Sequence, residues 1–181
     1  MQATALSRTA LSRGIARPAA GVELAALTLF AIVLPLLLRH PQAVVGTAVN
    51  GALALAAWRS RSWLGTLPLV LLPAVAAVGG GALFGTPVSA GLVLLVPGIW
   101  AGNALFVALL RRMESRPLGL AMAATLKTAV IGLWIAGLVV GGLLPVAFLL
   151  VVAPMQLLTA AMGGLLALPV CHVLGRRGHQ A

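Results

Sequence analysis

Long apolar runs separated by short polar or basic segments dominate this sequence. Six of the runs approach the roughly 20 apolar residues that an α-helix needs to cross a bilayer. The six runs are residues 21–38, 42–58, 63–84, 87–110, 118–142 and 144–174. The pattern predicts an all-α integral membrane protein with six transmembrane helices over 21–174. Basic tails at 1–20 and 175–181 flank this domain.

The segments between the runs are rich in residues that end helices. Glycine, proline and arginine are concentrated there, and glycine and proline are the strongest local breakers of regular structure. The interruptions lie at 39–41, 59–61, 79–87, 111–117 and 141–145. Two further prolines, Pro97 and Pro154, lie inside predicted spans. They would free backbone carbonyls, which need new partners or a cavity.

Basic residues are distributed unevenly between the two sides of the predicted bundle. With the N-terminus in the cytoplasm, ten of the 12 Lys and Arg residues lie on the cytoplasmic side. The outer loops hold only Arg39, and Lys127 lies within a span. Because cytoplasmic loops carry an excess of Lys and Arg, this distribution predicts that both termini are cytoplasmic. The ten residues are Arg8, Arg13, Arg17, Arg59, Arg61, Arg111, Arg112, Arg116, Arg176 and Arg177.

Composition supports a membrane protein and argues against other classes. Hydrophobic residues make up 61% of the chain and charged residues only 8%, against about 25% charged in a typical soluble domain. The net charge of +10 does not indicate nucleic-acid binding, because the basic residues lie between apolar runs, where topology places them. The single cysteine, Cys171, cannot form an intrachain disulfide.

Lys127 is the one ionisable residue deep within a predicted span. It lies about 15 Å along the helix from Pro117. A charge at such a depth costs about 2.5–3.5 kcal/mol on insertion scales. Lys127 therefore needs a partner or a wet cavity, unless it snorkels to the interface, is capped by carbonyls or loses its proton. Trp134, seven residues further on the same helical face, is predicted to form an apolar wall.

Three amides lie at a similar depth in other spans, namely Asn50, Asn103 and Gln156. Each has a companion three residues away on the same helical face. The companions are Thr47, Trp100 and Thr159, respectively. Four polar groups in four helices predict a ligand-binding cavity. The alternative is a set of interhelical hydrogen bonds that only holds the bundle together, at about 0.6 kcal/mol per pair.

The first outer loop contains His40 and Gln42, which would form a gate or lid over a cavity that opens outward. His40 follows Arg39 directly, so an ordinary interfacial position is the alternative for this residue. Substrate would enter between these side chains and descend to the buried amides.

Several kinds of chemistry are missing from the sequence. The chain has no Asp, and its two Glu residues, Glu23 and Glu114, lie near or outside the ends of spans. It offers no clustered metal ligands and no GxxxxGK[ST] motif for nucleotide binding. We therefore expect no enzymatic activity, no cofactor and no metal. A binding cavity without an energy source predicts a passive subunit that depends on partners.

The chain resembles the S components of energy-coupling factor transporters. Six spans in 181 residues and an outward-opening polar cavity carry this resemblance, together with Lys127 and short segments in four other spans and their loops. The matching segments are 40–42, 46–47, 49–50, 81–87, 97–103 and 156–164. The closer similarity is to a branch of small bacterial and archaeal membrane proteins that look like S components.

The resemblance implies a substrate-capture subunit in a bacterial or archaeal plasma membrane. S components bind vitamins or related micronutrients, and a T subunit with two ATPases drives release. The contact with the T subunit is usually an Ala-xxx-Ala pattern on the first helix, and the nearest version here is Gly21 with Ala25. The amides and Lys127 would line the substrate site.

Two other functions are compatible with the sequence. A non-catalytic structural or assembly subunit of a larger membrane complex would have its polar layer fully paired with itself, in a dry core. A small enzyme or lipid-modifying membrane protein would need a nucleophile that the sequence does not reveal.

Overall fold

The computed structural model describes residues 18–38, 41–80, 90–113 and 116–177. Within these ranges the chain is all-helical and contains no strand, which confirms the predicted all-α class for the described residues. Six long helices and one short helical turn make up these described ranges. They are α1 (Pro18–Leu37), α2 (Gln42–Arg59), α3 (Trp63–Gly79), the one-turn α4 (Ala90–Val93), α5 (Val96–Arg112), α6 (Arg116–Val140) and α7 (Ala147–Arg177).

Two helices in the described part of the chain are long and apolar enough to cross a membrane. They are Arg116–Val140, with a mean hydropathy of 1.8, and Ala147–Val173, with a mean hydropathy of 1.9. Gly21–Leu37 and Trp63–Gly79 are apolar but shorter. Large apolar side chains also cover the outside of the bundle, and surfaces of this kind mark contacts with a membrane or with another protein.

The helix boundaries differ from the predicted spans at several places. Helix α3 ends at Gly79, before the predicted end at 84, and 81–89 lie outside the described residues. The predicted fourth span is divided by a turn at Leu94 and Leu95. Pro97 lies in the first turn of α5, where its missing N–H has no partner to lose, so it begins a helix instead of interrupting one.

The two predicted tail boundaries also fall within helices. Helix α1 already begins at Pro18, and α7 continues to Arg177, past the predicted end of the last span at 174. Residues 1–17 and 178–181 lie outside the described residues, so the basic tails remain a prediction from the sequence.

Helix α2 packs most extensively on α7, and it also contacts α1, α3 and α5. The α2–α7 contact is close because small residues face each other. A Cβ atom added at Gly163 would lie 2.6 Å from the backbone nitrogen of Gly51 and would meet the carbonyl oxygen of Thr47. A Cβ atom at Gly46 would lie 3.0 Å from Thr159. Small residues of this kind let two helix backbones approach each other.

Helices α5 and α6 also approach each other closely at a glycine, Gly102 of α5. A Cβ atom at Gly102 would lie 2.8 Å from the end of the Ile131 side chain and 3.3 Å from Cγ of Lys127. The absence of a side chain at Gly102 therefore leaves room for the aliphatic stem of Lys127, which crosses α5 on its way to the interior.

Two clusters of buried hydrophobic residues form the core, and Asn103 and Lys127 lie at the boundary between them. On α5, Asn103 separates Ile99 of one cluster from Phe106 of the other. On α6, Lys127 occupies the corresponding position. The bundle thus holds Asn103 and Lys127 between two apolar layers.

Candidate functional site

The side chain of Lys127 lies at the centre of the bundle and is 2% exposed. From α6, its Nζ atom donates hydrogen bonds to Oδ1 of Asn50 on α2, at 2.5 Å, and to Oδ1 of Asn103 on α5, at 2.7 Å. Two amide oxygens from different helices therefore converge on one amine.

The two asparagine side chains are held in this orientation by their amide nitrogens. Nδ2 of Asn50 donates to the carbonyl oxygen of Gly46 at 2.9 Å and to Oγ1 of Thr159 at 3.2 Å. Nδ2 of Asn103 donates to the carbonyl oxygen of Val70 at 3.0 Å. Because an amide oxygen can only accept, Lys127 is the donor in both of its hydrogen bonds.

A cavity of about 90 Å³ borders this cluster. Four predicted site residues from four helices line it together with Gln42; they are Asn50, Asn103, Lys127 and Gln156. The other lining residues are Pro35, Val45, Gly46, Val49, Pro73, Ala74, Ala77 and Ile99. One water molecule occupies about 10–15 Å³ of such cavity volume, so this cavity has room for several ligand atoms.

Gln42 and Gln156 differ from the buried asparagines because their side chains form no hydrogen bond with the described part of the chain. Gln42 lies in the first turn of α2, and Asn50 lies about 12 Å deeper on the same helix. The cavity therefore runs from the end of α2 to the middle of the bundle, and two unpaired amides line it beside the paired Lys127.

Thr159 and Thr47 do not line this cavity. Thr159 supports Asn50 from α7, and its hydroxyl donates in turn to the carbonyl oxygen of Met155 at 2.8 Å. Thr47 lines a separate apolar groove, which is bordered by residues of α1, α2 and α7 such as Phe30 and Gly163.

The two predicted tryptophans also lie outside the cavity lining. Nε1 of Trp100 donates to the carbonyl oxygen of Leu71 at 2.8 Å, which ties α5 to α3. Nε1 of Trp134 donates to the carbonyl oxygen of Leu94 at 2.7 Å, at the turn before α5. The remaining predicted gate residue, His40, lies outside the described residues, whereas Gln42 is one of the residues that line the cavity.

The electrostatic environment of Lys127 contains neutral acceptors but no acid among the described residues. Glu23 forms a bidentate ion pair with Arg59, in which Nη2 of Arg59 lies 2.9 Å from Oε2 of Glu23. This hydrogen bond raises the pKa of Arg59. The ring of Phe106 lies 5.2 Å from Nζ of Lys127, within the range of a cation–π contact.

Helix α3 also contributes to the site, which the pattern of polar residues in the sequence did not predict. Asn103 and Trp100 donate to the carbonyls of Val70 and Leu71, which lie in the turn before Pro73. Pro73 lines the cavity and lies inside a helix, where proline removes a hydrogen bond and crowds the preceding turn. A proline inside a predicted span is the signal that would have pointed to this helix.

The chain has no significant match among protein-family models, curated proteins or solved structures. What the site can do therefore follows from its geometry. Within the described residues, no three His, Cys, Asp or Glu side chains are grouped so that they could hold a metal ion. The site provides one amine, oriented amides and an apolar wall, which are groups that bind and orient a small molecule.

Proposed function

We propose that this protein is a membrane-embedded substrate-capture subunit for the uptake of a small molecule, similar to the S components of energy-coupling factor transporters. In this proposal six helices cross a bacterial or archaeal plasma membrane with both termini in the cytoplasm. The low charge content, the apolar outer surface and the excess of basic residues on one side support this topology.

One observation carries the proposal. Lys127, Asn50, Asn103 and Gln156 come from four helices and line one cavity in an otherwise apolar bundle. Placing an amine and three amides in the interior has a cost that packing alone does not require, and polar groups in such positions are typical of substrate sites. The apolar walls with a few convergent polar groups are also typical of small-molecule pockets.

A structural or assembly subunit is the second candidate, and one observation favours it. The hydrogen bonds from Lys127 to Asn50 and Asn103 pair these three residues with one another, as a purely structural polar layer would require. Capture is favoured because Gln42 and Gln156 line the same cavity and have no such partner among the described residues. A structural layer has no use for unpaired amides beside an open cavity.

The energy for uptake would come from other subunits, because the chain has no nucleotide-binding motif of its own. A transmembrane T subunit and two ATPase subunits are the partners that the resemblance implies. Gly21 and Ala25 are both exposed on α1 and offer a smooth strip for a partner helix. The substrate would be a vitamin-like molecule or a related micronutrient.

Native mass spectrometry of the protein purified in mild detergent from its own host tests capture. We expect a small molecule to co-purify with the wild-type chain and to be lost from a Gln156→Leu variant. Leu157→Met is the matched control, because Leu157 is the next residue of α7 and is 42% exposed on the outer surface. Wild-type protein that is empty and binds nothing across a panel of vitamins and their precursors would favour the structural role.

A further inference from the structure

The geometry of the cavity points to a chemical class of substrate, and this inference rests on the proposed function. We propose that the cavity binds a small carboxylate with a short apolar body. The carboxylate accepts a hydrogen bond from Nζ of Lys127, and the apolar part lies against the wall formed by α2, α3 and α5.

Lys127 has one more hydrogen-bond donor than the two asparagines use. A lysine ammonium has three N–H groups, and two of them donate to Oδ1 of Asn50 and Oδ1 of Asn103. Lys127 itself lines the cavity, and its third N–H has no acceptor among the described residues, so a ligand in the cavity can accept from it. Asn50 uses both N–H groups of Nδ2, on the carbonyl oxygen of Gly46 and on Oγ1 of Thr159, and Nδ2 of Asn103 is directed to the carbonyl oxygen of Val70 on α3.

The amine of Lys127 has no negatively charged partner among the described residues. Lys127 is 2% exposed, and the described residues around it supply only neutral oxygens and an aromatic ring. Glu23 is paired with Arg59 and is not available as a counterion. A buried charge is costly without an opposite charge. An anionic ligand would provide that opposite charge, whereas a cationic ligand would be repelled.

The cavity is small, and most of the residues that line it are apolar. At about 90 Å³ it is smaller than the roughly 150 Å³ cavity that holds a benzene molecule. Its walls include Val45, Val49, Ala74, Ala77 and Ile99, which suit a short alkyl chain. Phosphate is usually held by arginine or by several donors together, and no arginine lines this cavity within the described part of the chain. A carboxylate of a few carbons satisfies both the amine and the wall.

The test compares pairs of probes that have nearly the same shape but different charge. Acetate, propionate and butyrate are each compared with the corresponding neutral amide. Binding to the full chain in detergent is measured by isothermal titration calorimetry and by the shift in thermal unfolding, at constant ionic strength. We expect at least one carboxylate to bind about tenfold or more tightly than its amide, since hydrogen bonds to charged groups are stronger than those between neutral groups.

Two variants and a control test whether Lys127 is responsible. Lys127→Met should abolish the preference for the carboxylate. The matched control is Leu126→Met, which introduces the same residue one position away, at a side chain that is 40% exposed on the outer surface. Gln156→Leu keeps the amine, so it should weaken both probes of a pair and retain the preference. The comparison of each carboxylate with its amide on the wild-type chain can overturn the inference even when Lys127→Met does not fold.

The outcomes separate this inference from the proposed function. Tighter binding of a carboxylate that is lost in Lys127→Met supports the inference. Amides that bind as tightly as carboxylates overturn it, and capture of a neutral substrate then stands. A carboxylate preference that survives in a folded Lys127→Met protein also overturns it. Absence of binding by every probe overturns the inference alone when a different small molecule co-purifies, and overturns capture as well when the purified protein is empty.

Discussion

Nζ of Lys127 lies 2.7 Å from Oδ1 of Asn103 on the neighbouring helix. Asn103 also contacts a third helix, because its amide nitrogen donates a hydrogen bond to the carbonyl oxygen of Val70 on α3. A chain of hydrogen bonds therefore connects α6, α5 and α3 through the interior, and Asn50 extends it to α2. Buried networks of this kind stabilise a bundle when every member has its partner, and they are sensitive to the loss of any one of them.

Substitution of Asn103 tests the energetic coupling in this network. Asn103→Leu leaves both Nζ of Lys127 and the carbonyl of Val70 with one partner fewer, so we expect the free energy of unfolding to fall by about 1–3 kcal/mol. In a Lys127→Met background the cost should be smaller by about 0.5–3 kcal/mol, the range measured for residues in direct contact. Reversible unfolding in mixed micelles gives both values, and strictly additive effects would contradict the coupling.

The contact between α2 and α7 predicts two opposite effects of Gly→Ala substitution. At Gly163 an added methyl group would meet backbone atoms of Thr47 and Gly51, so we expect a loss of about 1–3 kcal/mol in unfolding free energy. Gly137 on α6 is the control, because nothing lies within 4 Å of an added Cβ there. Gly137→Ala should be neutral or stabilise the protein by up to about 1 kcal/mol. Thermal unfolding that ranks the two variants in the reverse order would disprove this packing.

Cysteine labelling tests the proposed topology. Cys171 is the only cysteine of the chain, so a Cys171→Ala protein is a clean background. Leu143→Cys lies in the proposed outer turn after α6, where Leu143 is 58% exposed, and Met113→Cys lies at the proposed cytoplasmic end of α5. A membrane-impermeant maleimide should label Leu143→Cys in intact cells and Met113→Cys only after permeabilisation. The opposite pattern would invert the proposed orientation.

Substitution of Trp134 tests the prediction that it forms a wall of the substrate site. Its ring packs over Gly98, and its Nε1 donates to the carbonyl oxygen of Leu94. Trp134→Phe keeps an aromatic ring but removes this donor, so we expect the free energy of unfolding to fall by about 1 kcal/mol. Because Trp134 is outside the cavity lining, substrate affinity should not change. A weaker substrate affinity in calorimetric titrations, with unaltered stability, would show that Trp134 does contact the substrate.

Much of the helix pattern could be predicted from the sequence because a helix forms its hydrogen bonds within one segment. Runs of apolar residues that end at basic or proline-rich segments therefore predict α2, α6 and α7 to within a few residues. The less accurate boundaries have local causes too. Helix α3 stops at the start of a glycine run, and Pro97 marks the first turn of α5 instead of the middle of a longer helix.

The sequence by itself determined which polar groups would have to find partners. Lys127, Asn50, Asn103 and Gln156 could be identified one by one, because the depth of each in an apolar run follows from the helical rise. Their spacing could not show which of them would touch. That depends on how each helix is rotated about its axis and how closely it approaches its neighbours.

Only the tertiary structure decided those rotations. The contact of Gly51 with Gly163 brings α2 against α7, and Gly102 allows Lys127 to cross α5. These close approaches turn Asn50 and Asn103 toward the amine, and they leave Trp100 and Trp134 on other sides of their helices, bound to backbone carbonyls. Side-chain contacts between distant segments are set by packing between helices, and no local pattern in the chain encodes that packing.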